Sequence, residues 1–360
     1  MNLNFSTILE KLAATGAPDL ILVTNEPPFV RHKNGSVEPL MEGIHMEAAD
    51  IEKILTDLAG QPALVEFNAN KELETSFEQP GIGRFRATFY QELKGPALAL
   101  RRIPFEIPSP SVLDIPQNIQ DLVLRHDGLI LVTGPNGHGK STTLASLIDH
   151  INTNRSAHIV TIEDPIEFVH KRKKSIISQR AVGANTKSFG VAIRHTLRQN
   201  VDVIMIGEMR DLETIQTALT LAETGHLVLA TLHTHDAPRA VERIIDVFPA
   251  DQQDQIALQL SHSLTAILSQ RLITAAHGDD RVCAREVLIV NDGVRHAIRS
   301  KKISEIYSQI QVGREQGMIL FDDSVMQLAK EGKITPKEAV LNAHDAKQMK
   351  ENLKAIGANI

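Results

Sequence analysis

The stretch Gly134-Pro135-Asn136-Gly137-His138-Gly139-Lys140-Ser141 matches the pattern GxxxxGK[ST] in full, and Thr142 follows it. It comes after the apolar residues 129–132 and before a helix that the sequence predicts from Lys140. Glycines let backbone amides turn around phosphate oxygens, and the start of a helix adds a positive dipole end. The lysine then contacts the β and γ phosphates, and the Ser141 hydroxyl ligates magnesium. The sequence therefore predicts a site for ATP or GTP with Mg²⁺.

Strands and helices alternate around this loop. Short, fully apolar strands between helices are typical of a parallel sheet that is covered on both faces. We predict strands at residues 129–132, 158–162, 203–206 and 227–231, and helices from residue 140, near 188–198 and near 211–224. From residue 251 onward we predict mostly helix.

The first hundred residues predict a separate, smaller domain. The pattern indicates helices at residues 5–15 and 48–59, and strands at 20–23, 84–90 and 97–103. Residues 104–116 then carry four prolines, which suit neither a helix nor a central strand. We interpret this segment as a linker, with a rigid loop inside one domain as the alternative. The predicted division is 1–103, 104–116 and 117–360, in an α/β chain.

Composition narrows the function classes. The chain has 360 residues, a net charge of −6 and a pI near 6.2, which disfavours a dedicated nucleic-acid partner. No apolar stretch approaches the roughly 20 residues needed to span a bilayer. The single cysteine, Cys283, cannot form an intrachain disulfide and fits a reducing cytoplasm.

Carboxylates follow two of the predicted strands. Glu208 ends the run at 203–206, where it can hold magnesium or orient the attacking water, and the alternative is an ordinary loop residue. The run Glu163-Asp164-Pro165-Ile166-Glu167 follows residues 158–162 and can supply a group that deprotonates water. Its alternative is an acidic cluster at the start of a helix.

Histidines surround the last predicted strand. His226 precedes residues 227–231, and His233 and His235 follow them. We expect these histidines to sense the γ phosphate. The alternative is a transition-metal site, because His233 and His235 would point the same way if the strand continued.

Basic residues stand out in two places. Arg84, Arg86, Arg101 and Arg102 lie on or near strands of the first domain, either as surface charge or as arginine fingers that reach a bound nucleotide. Residues 170–174 form a basic run that is either a solvated loop or a contact for acidic lipid headgroups.

These motifs, in this order, resemble the secretion ATPase superfamily of type II secretion and type IV pili. The 163–167 run is similar to its aspartate box, residues 207–211 to its second nucleotide motif, and residues 222–234 to its histidine box. Length and the short first domain resemble the PilT/PilU group of pilus retraction motors. The longer assembly ATPases carry a four-cysteine zinc motif, which a single cysteine rules out.

The resemblance implies a PAS-like first domain, a RecA-like second domain with a mostly helical C-terminal part, and a homohexamer. It implies a cytoplasmic protein that associates peripherally with the inner membrane through the pilus platform protein, and a paralogous retraction ATPase as a further partner. ATP and Mg²⁺ are the implied cofactors. When the roles of the family's motif residues are carried over to the matching positions of this sequence, the resemblance implies catalytic roles for Lys140, Glu167, Glu208, His233, Arg84 and Arg101. Nucleotide contacts are carried over to residues 134–142 and to Glu163, Asp164, Arg198 and His226, and metal contacts to Ser141 and Glu208.

The chain departs from the family pattern at several positions. Asn136 and His138 stand where the family commonly has Thr and Ser, and residues 293–300 match the retraction motif only in part. The leading hypothesis is an ATPase that powers pilus retraction and twitching motility. The alternatives are an accessory retraction, secretion or assembly ATPase, and a nucleotide-binding scaffold that does not hydrolyse ATP.

Overall fold

A computed structural model describes residues 4–32, 35–103, 106–278 and 280–358. The fold is mixed α/β and has two compact units, Met1–Glu106 with Pro165–Val169, and Ile107–Asp164 with His170–Ile360. Pro104, the first proline of the predicted linker, lies outside the described residues. Later in that segment Ile115 is buried in a core of the second unit with Leu144. The later part of the predicted linker therefore packs with the second unit.

The first unit is built on an antiparallel sheet with the strand order β3-β2-β1-β6-β5-β4. Its elements are α1 (Phe5–Thr15), β1 (Asp19–Val23), β2 (Phe29–Arg31), β3 (Val37–Pro39), α2 (Ala48–Asn70), β4 (Glu72–Gln79), β5 (Gly83–Glu92) and β6 (Gly95–Ile103). The sequence did not predict β2, β3 and β4. The predicted helix at 48–59 corresponds to the first part of α2, which is kinked at Gly60.

Alternation along β5 sorts its residues onto two faces. Phe85 and Phe89 are buried in the core of this unit, whereas Arg84 and Arg86 lie on the other face of the sheet. Arg101 of β6 is the cross-strand partner of Arg86. This face of the sheet is therefore rich in arginine.

The second unit contains a seven-stranded sheet with the order β13-β12-β7-β11-β10-β8-β9. Its strands are β7 (Gly128–Thr133), β8 (His158–Glu163), β9 (Ile176–Ala181), β10 (Val203–Ile206), β11 (Leu227–Leu232), β12 (Leu264–Thr274) and β13 (Arg281–Ile289). Neighbouring strands are parallel except for β13, which runs antiparallel to β12. The four predicted parallel strands are confirmed, and the sheet also contains the parallel strands β9 and β12 and the antiparallel edge strand β13.

Helices flank this sheet and continue beyond it. They are α3 (Gln117–Leu122), α4 (Lys140–Asn154), α5 (Phe189–Thr196), α6 (Leu212–Glu223), α7 (Ala237–Asp246), α8 (Gln253–Ser263), α9 (Asp292–Arg299), α10 (Ile303–Val312), α11 (Phe321–Lys330), α12 (Pro336–Asn342) and α13 (Ala346–Ala355). Side chains that accept hydrogen bonds from the first turn explain where several helices begin. Ser188 caps α5 in this way, and Asp211 caps α6. No helix among the described ranges is long and apolar enough to cross a membrane.

The prediction of mostly helix beyond residue 251 was wrong for β12 and β13. Strand β12 begins at Leu264, directly after α8 ends at Ser263, so neither Gly nor Pro separates the two elements. Its first seven residues are buried, and a short stretch with no clear alternation of apolar and polar residues fits a buried helix as well as a strand. Pairing with β7, which the sequence pattern does not reveal, decides in favour of the strand.

Glu286 of β13 is a buried carboxyl that ties this edge of the sheet to α7. It is 2% exposed, and its Oε1 accepts a hydrogen bond from the Ala237 amide at 2.7 Å. Burial raises the pKa of Glu286 to about 7, with Asp236 and Asp322 adding repulsion. The folded protein therefore binds this proton more tightly than the unfolded chain does.

We expect the free energy of unfolding to decrease as pH rises through this interval. Between the ordinary glutamate pKa of 4.5 and the folded pKa of about 7 the folded state binds more protons, so the loss amounts to about 3 kcal/mol. In Glu286→Gln this part of the pH dependence should disappear. Urea unfolding from pH 4.5 to 8 measures it, with the exposed Glu351→Gln as control. Equal pH dependence in both variants would contradict the assignment.

Candidate nucleotide site

The phosphate loop connects the buried strand β7 to α4. Gly134 directly follows β7. Its φ of 142° lies in a region of backbone conformation that glycine adopts readily and that residues with a Cβ rarely adopt. A Cβ at this position would lie 2.2 Å from the Gln270 carbonyl oxygen, so the close approach of β12 requires glycine. Gly139, with a φ of 81°, is the N-cap of α4. The predicted order of strand, loop and helix is confirmed.

Lys140 is buried at the start of α4. Its Nζ donates to the carbonyl oxygens of Gly134 at 2.7 Å and Pro135 at 3.0 Å. It also lies 3.3 Å from Nδ1 of His233. The loop backbone and the histidine together fix the direction of this amine.

His233 bridges Lys140 and Glu208. Its Nε2 lies 2.6 Å from Oε1 of Glu208, and the same oxygen accepts from Nε of Arg210 at 2.7 Å. The Nε2 side of the ring thus faces the carboxylate, and the Nδ1 side faces the amine of Lys140. Lys140, His233, Glu208 and Arg210 therefore form one continuous polar chain.

The sheet order explains why these residues meet. Strands β7, β11 and β10 are neighbours and run parallel, so their carboxyl ends share one edge. The phosphate loop, His233 and Glu208 follow these ends within two residues. A ligand crevice at the carboxyl ends of parallel strands is the usual arrangement in such sheets.

Glu208 is held in its charged form. Burial by itself raises the pKa of this carboxyl, but the hydrogen bond from Arg210 and the adjacent His233 outweigh burial and bring the pKa below its ordinary value. The side chain is 16% exposed. A carboxylate that is ionised and still reachable suits a role in binding a cation or a water molecule.

Glu163 and Asp164 lie at the carboxyl end of β8, next to β10 in the sheet. Glu163 is buried, and its Oε1 accepts from Thr161 Oγ1 at 2.6 Å and from Gln179 Nε2 at 3.1 Å. Asp164 is exposed, and its charge contributes to the raised pKa of Arg210. Glu163 is thus held at the end of β8 by these hydrogen bonds, Asp164 lies close enough to Arg210 to act on it by charge, and the predicted nucleotide contacts of both residues stay predictions.

Glu167, Arg84 and Arg101 belong to the first unit. Glu167 Oε1 lies 3.9 Å from Arg86 Nη1. Arg84 donates to Ser76 Oγ at 3.0 Å, and Arg101 pairs with Asp19 at 2.8 Å while remaining 65% exposed. Their predicted catalytic roles stay predictions.

His226 is placed away from the phosphate loop of its own chain, and its predicted nucleotide contact stays a prediction. It precedes β11, and its carbonyl accepts from the Gly128 amide at the start of β7. The phosphate loop follows the other end of β7, about 20 Å away for a six-residue strand. A cavity of about 490 Å³ at this amino-terminal edge, lined in part by Gly128 and Thr265, is likewise separate from the loop.

Arg198 is also placed away from the loop. It is exposed after the end of α5, ahead of the amino-terminal end of β10. The predicted contact of Arg198 with nucleotide therefore stays a prediction. The direction of the flanking strands, which the sequence already indicated, places both His226 and Arg198 toward the opposite edge of the sheet from the loop.

The alternative interpretation of His233 and His235 as ligands of a transition metal receives no support. Strand β11 ends at Leu232, so His233 and His235 lie in the following loop and not on a strand edge. The parts of the chain that the structure describes contain no group of three or more His, Cys, Asp or Glu side chains suited to hold a metal.

Sequence reasoning missed two contacts of the loop, that of Gln270 and that of the His138 ring. Gln270 Nε2 donates to the His138 carbonyl at 2.7 Å, and its Oε1 accepts from Thr143 Oγ1 at 2.9 Å. The His138 ring, expected to lie near the phosphates, accepts from the Leu272 amide at 2.9 Å. The missed strand β12 is the reason, because both partners lie on it.

The fold and the site together define a phosphate-loop protein that binds nucleotides at the carboxyl edge of a parallel sheet. The family profile described as type II/IV secretion system protein matches residues 112–341. The chain belongs to this family.

Three relatives show where in the family it lies. It is 38% identical over 350 residues to PilT, a type IV pilus retraction ATPase of Pseudomonas aeruginosa, covering 97% of this chain and 100% of PilT. It is 37% identical over 352 residues to PilU, a type IV pilus ATPase of the same organism, covering 98% and 92%. A crystal structure of the pilus retraction motor PilT with bound ADP superimposes with a TM-score of 0.89 at 42% identity, covering 97% of this chain and 100% of that one.

Proposed function

We propose that the protein is a motor ATPase that hydrolyses ATP to power type IV pilus retraction and twitching motility. The observation that carries this proposal is the polar chain from Lys140 through His233 to Glu208, because it joins the phosphate-binding group to the carboxylate at the strand end. Relatives that are named pilus retraction and pilus ATPases support the task of the motor.

The residues suggest a division of labour. The loop amides and Lys140 bind the β and γ phosphates and stabilise the charge that develops during transfer. Glu208 orients the attacking water, and His233 connects the occupancy of the loop to the position of Glu208. Glu167 acts as the general base. In this proposal His233 is the sensor of the γ phosphate.

Magnesium fits this donor set. Mg²⁺ usually takes only one or two protein ligands, the remainder being phosphate oxygens and water. Ser141 is exposed on the first turn of α4, and Glu208 presents an ionised carboxylate. When bound, the ion would neutralise charge on the phosphates.

The motor works as a homohexamer with a PAS-like first domain and a RecA-like second domain. Support comes from the resemblance and from the placement of His226 and Arg198 away from the loop of their own chain. In a ring, such residues and the exposed Arg101 can serve the site of a neighbouring subunit as arginine fingers or sensors. The ring is cytoplasmic and docks on the inner-membrane platform protein of the pilus machine, with no nucleic acid involved.

The test is deletion of the gene in its own host. Loss of a retraction motor should give hyperpiliated cells that do not twitch, because filaments still assemble and are no longer withdrawn. Electron microscopy and a subsurface twitching assay measure both, and a plasmid copy should restore them whereas a Lys140→Ala copy should not. Bald cells would contradict retraction and indicate an assembly or secretion motor.

An accessory role in retraction is the second candidate function, because the chain is nearly as similar in sequence to PilU as it is to PilT. Retraction that is weakened rather than abolished, measured as pulling force per filament, would indicate this role.

A further inference from the structure

Strand β12 runs beside the phosphate loop and sends alternate side chains to opposite sides. Leu272 Cδ1 would lie 3.9 Å, and Gln270 Nε2 3.3 Å, from a Cβ added at Gly139. Arg271 and Ile273 point the other way, as alternation along a strand requires. One strand therefore contacts two different parts of the second unit.

On the loop side, Gln270 connects the loop to the helix that follows it. This side chain is 3% exposed, donates to the His138 carbonyl and accepts from Thr143 of α4. Both polar atoms of its amide are thereby satisfied within a buried setting. A buried amide that loses such partners is costly, so this side chain holds the loop and α4 in a fixed relation.

His138 adds a second attachment to the same strand. Its Nδ1 accepts from the Leu272 amide, which requires that this nitrogen carry no proton. Burial, with the charges of Arg281, Arg271 and Lys140, lowers the pKa of His138 and favours that form. From β13, Arg281 Nη1 also reaches the Gly137 carbonyl at 3.4 Å. The tip of the loop is thus held by the β12–β13 pair.

On the other side, β12 binds the C-terminal helices. Arg271 Nη1 donates to the Asn342 carbonyl at 3.2 Å, and its guanidinium lies 4.9 Å from the ring centroid of Phe321. Ile273 is buried in a cluster with Phe321 and Val325 of α11 and Leu353 of α13. Contacts to the loop and contacts to these helices therefore come from adjacent residues of one strand.

We propose that Gln270 is a positioning residue for the phosphate loop, and that β12 couples nucleotide binding to the C-terminal helices α11–α13. The coupling element is the three-residue segment 270–272, whose loop-facing and helix-facing groups cannot move independently. The proposal deepens the proposed ATPase function and rests on the nucleotide site described above.

The first experiment compares Gln270→Leu with the wild-type protein. Leucine keeps the apolar bulk and removes both hydrogen bonds, so the Kd for ADP and the KM for ATP should each rise about tenfold, with kcat changed less than about threefold. The matched control is Thr265→Val, at the other end of the same strand, which should leave Kd and KM unchanged. A wild-type Kd and KM in Gln270→Leu would overturn the positioning role.

The second experiment tests the coupling by hydrogen–deuterium exchange with and without ADP. In the wild-type protein ADP should slow amide exchange in the loop and also in α11–α13. In Arg271→Ala saturating ADP should still protect the loop but no longer the helices. If ADP leaves the wild-type helices unchanged, the coupling is wrong. The Kd for ADP and the exchange rates do not require hydrolysis, so these two measurements remain decisive even if the protein hydrolyses ATP too slowly for the proposed function.

Discussion

The variant Lys140→Ala is expected to lose ATP hydrolysis by a factor on the order of 10² to 10³. The amine lies at the loop, held by two loop carbonyl oxygens and His233. In the proposed mechanism it binds the β and γ phosphates of the nucleotide. Its removal takes away a positive charge that stabilises the transition state more than the ground state. Release of inorganic phosphate at saturating ATP measures the loss in kcat.

The control for this variant is Lys347→Ala, which removes an exposed lysine of α13. Lys347→Ala should keep wild-type turnover. Circular dichroism should show that Lys140→Ala remains folded, since alanine suits the first turn of α4. A kcat within threefold of the wild-type value in a folded Lys140→Ala protein would contradict the proposed mechanism.

Glu208→Gln should separate nucleotide binding from hydrolysis. The amide keeps the shape of the carboxylate but not its charge, so water and magnesium lose their charged partner, and kcat should decrease by about 10² to 10³. ATP binding should change little, because the loop and Lys140 are intact. Single-turnover hydrolysis together with the Kd of ATP in the same protein measures both effects.

Glu351→Gln, on an exposed turn of α13, is the matched control for the loss of one carboxylate. It should hydrolyse ATP like the wild-type protein. If the wild-type protein itself releases phosphate as slowly as Glu208→Gln, the chain is a nucleotide-binding scaffold and not a motor.

Local patterns predicted the parts of the site that adjoin a strand end. The loop at 134–141, Glu208 and His233 each follow an apolar run, and parallel strands bring their carboxyl ends to one edge. The bridge from Lys140 through His233 to Glu208 was not predictable, because it depends on side-chain directions that no spacing encodes.

His226 and Arg198 show what a motif leaves open. Both residues belong to, or follow, motifs that resemble the family, but a place in a motif does not fix a place in the site. His226 precedes its strand, and Arg198 comes before β10, so both lie toward the opposite edge of the sheet. Strand direction would have separated them from Glu208.

The sequence by itself determined the phosphate loop, the parallel strands β7, β8, β10 and β11, and the family, because these depend on short-range order: a glycine-rich turn, an apolar run and a helix start. Only the tertiary structure decided that β12 joins the same sheet and holds the loop through Gln270 and the Leu272 amide. These contacts join residues more than 130 positions apart, and such pairings form through the packing of the whole sheet.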